Sequence, residues 1–249
     1  MVKINELINY TGQILQVERF RDYCPNGLQV EGRSEVCKIV SGVTASMALL
    51  EAAHAAGADM VLVHHGYFWR NEDACITGIK RARLKFLLEH NINLTAYHLP
   101  LDAHIEFGNN VQLARVMGVT LDGWAGEQDM VAHGTLPDVL SLRQFAEHIK
   151  IKLQREPLII GDLDKPIKRI AWCTGAAQNY LDVAVGLGVD AYVSGEVSEQ
   201  TVHLARESGV AYIAAGHHAT ERYGVQALGH HLAQHFSLEH SFIDIDNPV

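Results

Sequence analysis

The strongest constraint on this chain is that it contains the same pattern twice. Setting Ile39 against Ile170, an offset of 131, aligns residues 39–65 with 170–196 without a gap. The identities are Ile39/Ile170, Ala45/Ala176, Leu50/Leu181, Ala53/Ala184, Gly57/Gly188 and Asp59/Asp190. Both copies read as a strand, a helix ending at glycine, a Gly-x-Asp turn and a buried strand, which is a β-α-β unit. A chain built this way is α/β: two related β-α-β lobes around mixed sheets. The boundaries expected are lobe one at about 1–118, a small β-rich middle segment at about 119–166 with one helix near Ser141–Leu153, and lobe two at about 167–249. Together they form a single unit over 1–249.

The copies also place similar chemistry at similar points. The first buried strand, Met60-Val61-Leu62-Val63, runs into His64-His65-Gly66, and the second ends at Gly195-Glu196. Strand side chains alternate faces, so the two imidazoles are expected to converge only if the strand breaks there, with Gly66 allowing the turn. A nearby register, offset 119, sets His98 on His217 and Asp102 on Glu221, giving one His-x-x-x-acid pattern after a strand in each half. The segment from His98 to His104 reads as a loop, and Asn109-Asn110 as the cap of a helix running to Met117. His217 and Glu221, four apart, share one helix face. Packed about a pseudo-twofold axis, such halves would pool their ligand-type residues in one cleft at the carboxyl ends of the strands.

Several imidazoles with two carboxylates exceed the four ligands of one structural zinc and suit a pair of divalent cations. His64 and His65 would each take one cation and Glu221 would bridge. This nitrogen and oxygen donor set fits Zn, Mn, Fe or Ni. His98 and Glu196 are candidates to carry protons, and His218 to support a neighbouring ligand. The chain has 15 histidines. His54, His90, His133, His148, His203, His230, His231 and His235 are expected on solvated faces.

Other classes are excluded or disfavoured. A net charge of −9 and a pI near 5.9 argue against binding a nucleic-acid polymer. No stretch reads as membrane-spanning or as a signal peptide, and the four scattered cysteines suit a reducing, cytoplasmic setting. Phosphate-loop, HExxH, GxSxG and GxGxxG motifs are missing from the positions where they would act.

Four stretches carry a family resemblance: Asp22-Tyr23-Cys24-Pro25-Asn26-Gly27-Leu28-Gln29-Val30-Glu31-Gly32, Val63-His64-His65-Gly66, His98-Leu99-Pro100-Leu101-Asp102 and Gly216-His217-His218-Ala219-Thr220-Glu221. They resemble the GTP cyclohydrolase I type 2 homologues, the Nif-three-like proteins, in their bacterial YbgI-type form with a dinuclear metal centre. The resemblance implies a Nif-three-like fold and two divalent metal ions per subunit, held by His64, His65, Asp102, His217 and Glu221. His98 is not a firm ligand in that family. The resemblance further implies a ring-shaped homohexamer and metal-dependent hydrolysis of a small molecule, with a purine or damaged nucleotide as the substrate indicated by the family label. The alternative is a non-catalytic metal-binding regulatory or scaffold protein.

Overall fold

The computed structural model describes residues 1–249. In chain order it comprises β1 (Val2–Lys3), α1 (Ile4–Ile14), β2 (Gly27–Val30), β3 (Glu35–Val36), β4 (Lys38–Thr44), α2 (Met47–Ala55), β5 (Met60–His65), α3 (Gly78–Glu89) and β6 (Asn93–Ala96). There follow α4 (Leu99–Ala103), α5 (Asn109–Met117), β7 (Thr120–Ala125), β8 (Val131–Ser141), α6 (Leu142–Leu153) and β9 (Leu158–Ile160). The chain ends with β10 (Pro166–Trp172), α7 (Leu181–Leu187), β11 (Ala191–Ser194), α8 (Glu199–Ser208), β12 (Ala211–Ala214), α9 (His217–Phe236) and β13 (Glu239–Phe242). No helix is long and apolar enough to cross a membrane.

Two compact units result: Met1–Leu101 with Gly224–Asp246, and Asp102–Tyr223 with Asn247–Val249. The first is built on a five-stranded sheet of order β13-β4-β5-β6-β2, parallel except for the antiparallel edge strand β2. Val40, Val61, Val63, Leu49, Leu50 and Leu87 fill its core. The second has a six-stranded sheet of order β7-β8-β10-β11-β12-β9, with parallel pairing confined to β10-β11-β12. Its core is packed around Trp172, Phe145, Leu142, Ile170 and Ile213.

The structure divides the chain differently from the boundaries at 118 and 166. Strands from 119–166 pair within the second sheet (β8 with β10, β9 with β12), whereas β13 returns to β4 of the first. Apolar periodicity finds strands but not their partners, and partners decide the grouping.

The repeat is visible in hydrogen bonding as well as sequence. Ile39 pairs with Met60 and Ile170 with Ala191, each partner displaced by the same 131 positions. One Asp59 carboxylate oxygen accepts from the N–H groups of Cys37 (2.8 Å) and Lys38 (3.0 Å). Asp190 accepts from Lys168 (2.9 Å) and Arg169 (2.8 Å) in the same way. In both copies the Gly-x-Asp turn is therefore a clamp that fixes the start of one strand against the next.

Ser46 caps α2 by accepting from the Leu49 N–H, and Ser141 with Gln144 forms a capping box on α6. Two local expectations fail. His98–His104 is not all loop, because Leu99–Ala103 is helical, and a proline is tolerated in the first turn of a helix. Gly108, not Asn109, caps α5, because Asn109 and Asn110 are buried and their amides are engaged elsewhere.

Candidate metal centre

In the first unit, the carboxyl ends of β5 and β6 bring three imidazoles together. Ligand nitrogens of His64, His65 and His98 lie within 4.8 Å of one another. The strand does not break before the histidines as expected: β5 continues through His65, whose backbone pairs with Thr44. The rings nevertheless sit 4.5 Å apart, tilted by 49°, at the strand's last residues.

Each ring is oriented from behind. His64 is fully buried and donates Nδ1–H to the Tyr97 carbonyl at 2.9 Å, so its lone pair resides on Nε2. His65 Nδ1 lies 3.2 Å from the Thr44 hydroxyl. His98 Nδ1 donates to an Asp22 carboxylate oxygen at 2.7 Å.

Asp22 is itself held by the Tyr23 N–H (2.6 Å), the Asn26 amide (2.8 Å) and the Leu99 N–H (2.9 Å). Burial pushes its pKa up, but the hydrogen bond and charge of His98, with the Asn26 and Tyr23 donors, bring it below the usual carboxylate value overall. The turn chemistry of 22–27 thus serves as a bracket for His98. Asn26 completes it by accepting the His98 N–H at 2.7 Å. The indole of Trp69 and the His98 ring are near-perpendicular, with ring centres 5.0 Å apart.

The second unit gathers Asp102, His217 and Glu221. Carboxylate oxygens of Asp102 and Glu221 lie within 4.8 Å of each other. His217 opens α9, and its Nε2 is 3.2 Å from Glu221 one turn on. On the other side of the ring, Nδ1 donates to Glu196 at 2.7 Å. Burial alone would lower the His217 pKa, but hydrogen bonds and charge from Glu221, then Glu196, raise it to about 9. Asp102, buried in α4, accepts from Asn109 Nδ2 (2.9 Å) and the Thr174 hydroxyl (3.2 Å). Gly175, at φ +68°, leaves room for the Glu221 carboxylate: a Cβ there would collide with its Oε1. The donors of these two clusters are nitrogen and oxygen; Cys24 Sγ lies within 4.8 Å of ligand atoms of Asp22 and His98 in a third grouping. Burial, then the Asp102 and Glu221 charges, pushes the Cys173 thiol well up, and burial with Asp22 takes Cys24 to about 12, so both thiols are protonated in the metal-free protein.

Every ligand candidate from the sequence is thus placed in a cluster within its own unit: His64 and His65 in the first, Asp102, His217 and Glu221 in the second. The sequence reading missed Asp22, Asn26, Thr174 and Gly175, which orient ligand candidates or make space for them. Their signal was position: each lies in a turn or just beyond a strand. The solvated-face expectation fails for the half-buried His148, which donates to the Met117 carbonyl at 3.0 Å, and His231, which bonds Tyr10 at 2.8 Å. His54, stacked on His90 at 3.9 Å, is exposed, as are His203, His230 and His235.

The family model described as Duf34/NIF3 (NGG1p interacting factor 3) matches residues 2–248. The chain belongs to this family. A Duf34/NIF3 relative from Pseudomonas aeruginosa, named GTP cyclohydrolase 1 type 2 homolog, is 56% identical over 251 residues, spanning 100% of this chain and 99% of the relative. Among solved structures, the protein ybgI, described as of unknown function, superposes with a TM-score of 0.96 at 50% identity, each chain covered in full. TTHA1606 from Thermus thermophilus superposes at 0.90 with 33% identity, again over both full lengths. The family expected from the four motifs is therefore the family found. The mixed α/β architecture with two mixed sheets is its fold. Clusters of His, Asp and Glu able to hold metal ions are part of this Duf34/NIF3 chain.

Proposed function

We propose that His64, His65, Asp102, His217 and Glu221 hold two divalent cations and that the chain uses them to hydrolyse a small molecule. The observation that carries this reading is the preparation of the donors before any cation arrives. His64 is fixed in the tautomer that leaves its lone pair on Nε2, and the Glu221 carboxylate has a space kept for it by Gly175. The His217 ring lies 2.7 Å from Glu196 and 3.2 Å from Glu221, so two carboxylates surround it and favour positive charge there, which a cation would supply.

Bound by these residues, a divalent pair would supply Lewis-acid polarisation of a substrate oxygen and acidify water at neutral pH. The chain's own residues do the remaining work. Tyr97 and Asp22 orient the imidazoles of His64 and His98. Glu196, bonded to the far nitrogen of His217, fixes that ring and is placed to take up its proton. Asn109 and Thr174 hold the Asp102 carboxylate. The name of the Pseudomonas aeruginosa relative supports a purine-type or damaged nucleotide as substrate, and the family resemblance supports a homohexamer.

Elemental analysis of protein purified without chelator, and again after reconstitution, tests the reading. Two ions per chain are expected, with His65→Ala and Glu221→Gln each reducing the count. One ion, unaffected by either substitution, overturns it. Light scattering on the same samples tests the hexamer.

A further inference from the structure

We propose that residues 247–249, held by Arg155, form a detachable cap on α9 that positions His217 and Glu221 for a cation. This rests on the metal reading above and names the element that sets the affinity of the second cluster. Helix α9 opens on His217, and the N–H groups of its first turn have no partner within the helix. The Thr220 N–H bonds to the Gly216 carbonyl at 3.0 Å, which makes Gly216 the cap residue and His218 the second residue of the helix. A cap residue ordinarily accepts the second or third N–H with its side chain. Glycine has no side chain to offer. The acceptor comes instead from a distant part of the sequence: the Val249 carbonyl takes the His218 N–H at 3.0 Å.

Arg155 holds that acceptor in place. It follows the end of α6, and its guanidinium donates to the Pro248 carbonyl at 2.7 Å. The same side chain lies against Gly216, where a Cβ would stand 2.6 Å from its Cδ and 2.7 Å from its Nε. The missing side chain that leaves α9 uncapped is therefore also what admits Arg155. Within the strap, the Val249 N–H donates to Asn247 Oδ1 at 3.0 Å and closes a turn. Further along α9, Arg222 donates to the Leu153 carbonyl at 2.8 Å, at the last residue of α6. The start of α9 is thus tied to the end of α6 twice, once directly and once through residues 247–249.

The ligand candidates sit on the turns so tied: His217 Nε2 is 3.2 Å from Glu221, and their mutual placement follows the winding of those turns. Residues 247–249 are all exposed, whereas the core of the second unit is built on Trp172, Phe145 and Ile170. Releasing the strap therefore frays the start of α9 and leaves the core closed.

The test uses cobalt(II) as the probe on full-length, chelator-treated protein, reading its visible absorption and its affinity by chelator competition. Hydrogen exchange at the His218 amide is followed on the same samples. Arg155→Ala and Asn247→Ala should each speed that exchange, alter the cobalt spectrum and weaken cobalt binding about three- to tenfold, the effect of losing one helix cap. Arg155→Lys keeps a donor for the Pro248 carbonyl and should recover part of the affinity. Arg143→Ala, on the same α6, should match the native chain. Asn247 is exposed, so its variant decides the matter if Arg155→Ala does not fold. Native cobalt uptake with affinity and spectrum unchanged in the folded variants overturns this inference alone, as does an equal loss in Arg143→Ala. A native chain that takes up no cobalt overturns the metal reading and this inference with it.

Discussion

His217 provides the sharpest quantitative test of the second cluster, because its charge should stabilise the metal-free fold only over part of the pH range. Its pKa is raised from 6.5 to about 9 by Glu221 and Glu196 against the opposing effect of burial. A group raised in the folded state adds stability that is fully present below its unfolded value, and that is lost as pH rises through the folded value. The rise from 6.5 to about 9 is worth roughly 3.5 kcal/mol before solvent screening, and a side chain 26% exposed brings the upper figure to roughly 3 kcal/mol. The measurement is urea unfolding of chelator-treated protein from about pH 6 to about pH 10, for the native chain and for His217→Gln. The native chain should be the more stable by up to roughly 3 kcal/mol near pH 6, with the gap closing between about pH 6.5 and pH 9. His240, held down to about 4 by burial and then by His230, titrates below this window and is common to both proteins. A gap that stays constant across the window would mean that His217 is not a cation between two carboxylates, and would refute the reasoning.

Metal loading near pH 8 should release about one proton per chain from His217, read in a weakly buffered solution, and His217→Gln should lose that release. Gly175→Ala should displace the Glu221 carboxylate and strain a left-handed residue by about 1–2 kcal/mol, lowering the metal count while circular dichroism stays native-like. Retention of two ions would show that Glu221 is not a ligand. Asp22→Asn turns an acceptor of four donors into a group with one acceptor oxygen, and should cost about 2–3 kcal/mol in urea unfolding. Because the Asp22 pKa is lowered on balance, the difference from the native chain should shrink as pH falls below about 4.

Much of this was legible in the sequence because repetition converts a weak local pattern into a strong one. Gly57-x-Asp59 by itself is an ordinary turn, but matched by Gly188-x-Asp190 it marks the same joint twice. The ligand candidates were legible for a related reason: imidazole and carboxylate are costly to bury without a partner, so their recurrence at strand ends signals a use. What stayed hidden depends on distant pairing. Nothing local to Asp22 says that its carboxylate will meet His98, 76 residues on. Nor does the alternation rule show that two consecutive strand residues can bring their rings to 4.5 Å.

The paired aspartate clamps also have an effect at a distance. Asp59 stands just before β5, five and six residues ahead of the two histidines, or about 17–20 Å of extended chain, and grips Cys37 and Lys38 at the start of β4. Sliding that strand by one residue would invert the face on which each side chain points, interchanging the imidazoles. The clamp at the foot of the strand thus adds to the ladder bonds with β4 and β6 that hold the register setting the two imidazoles at its tip.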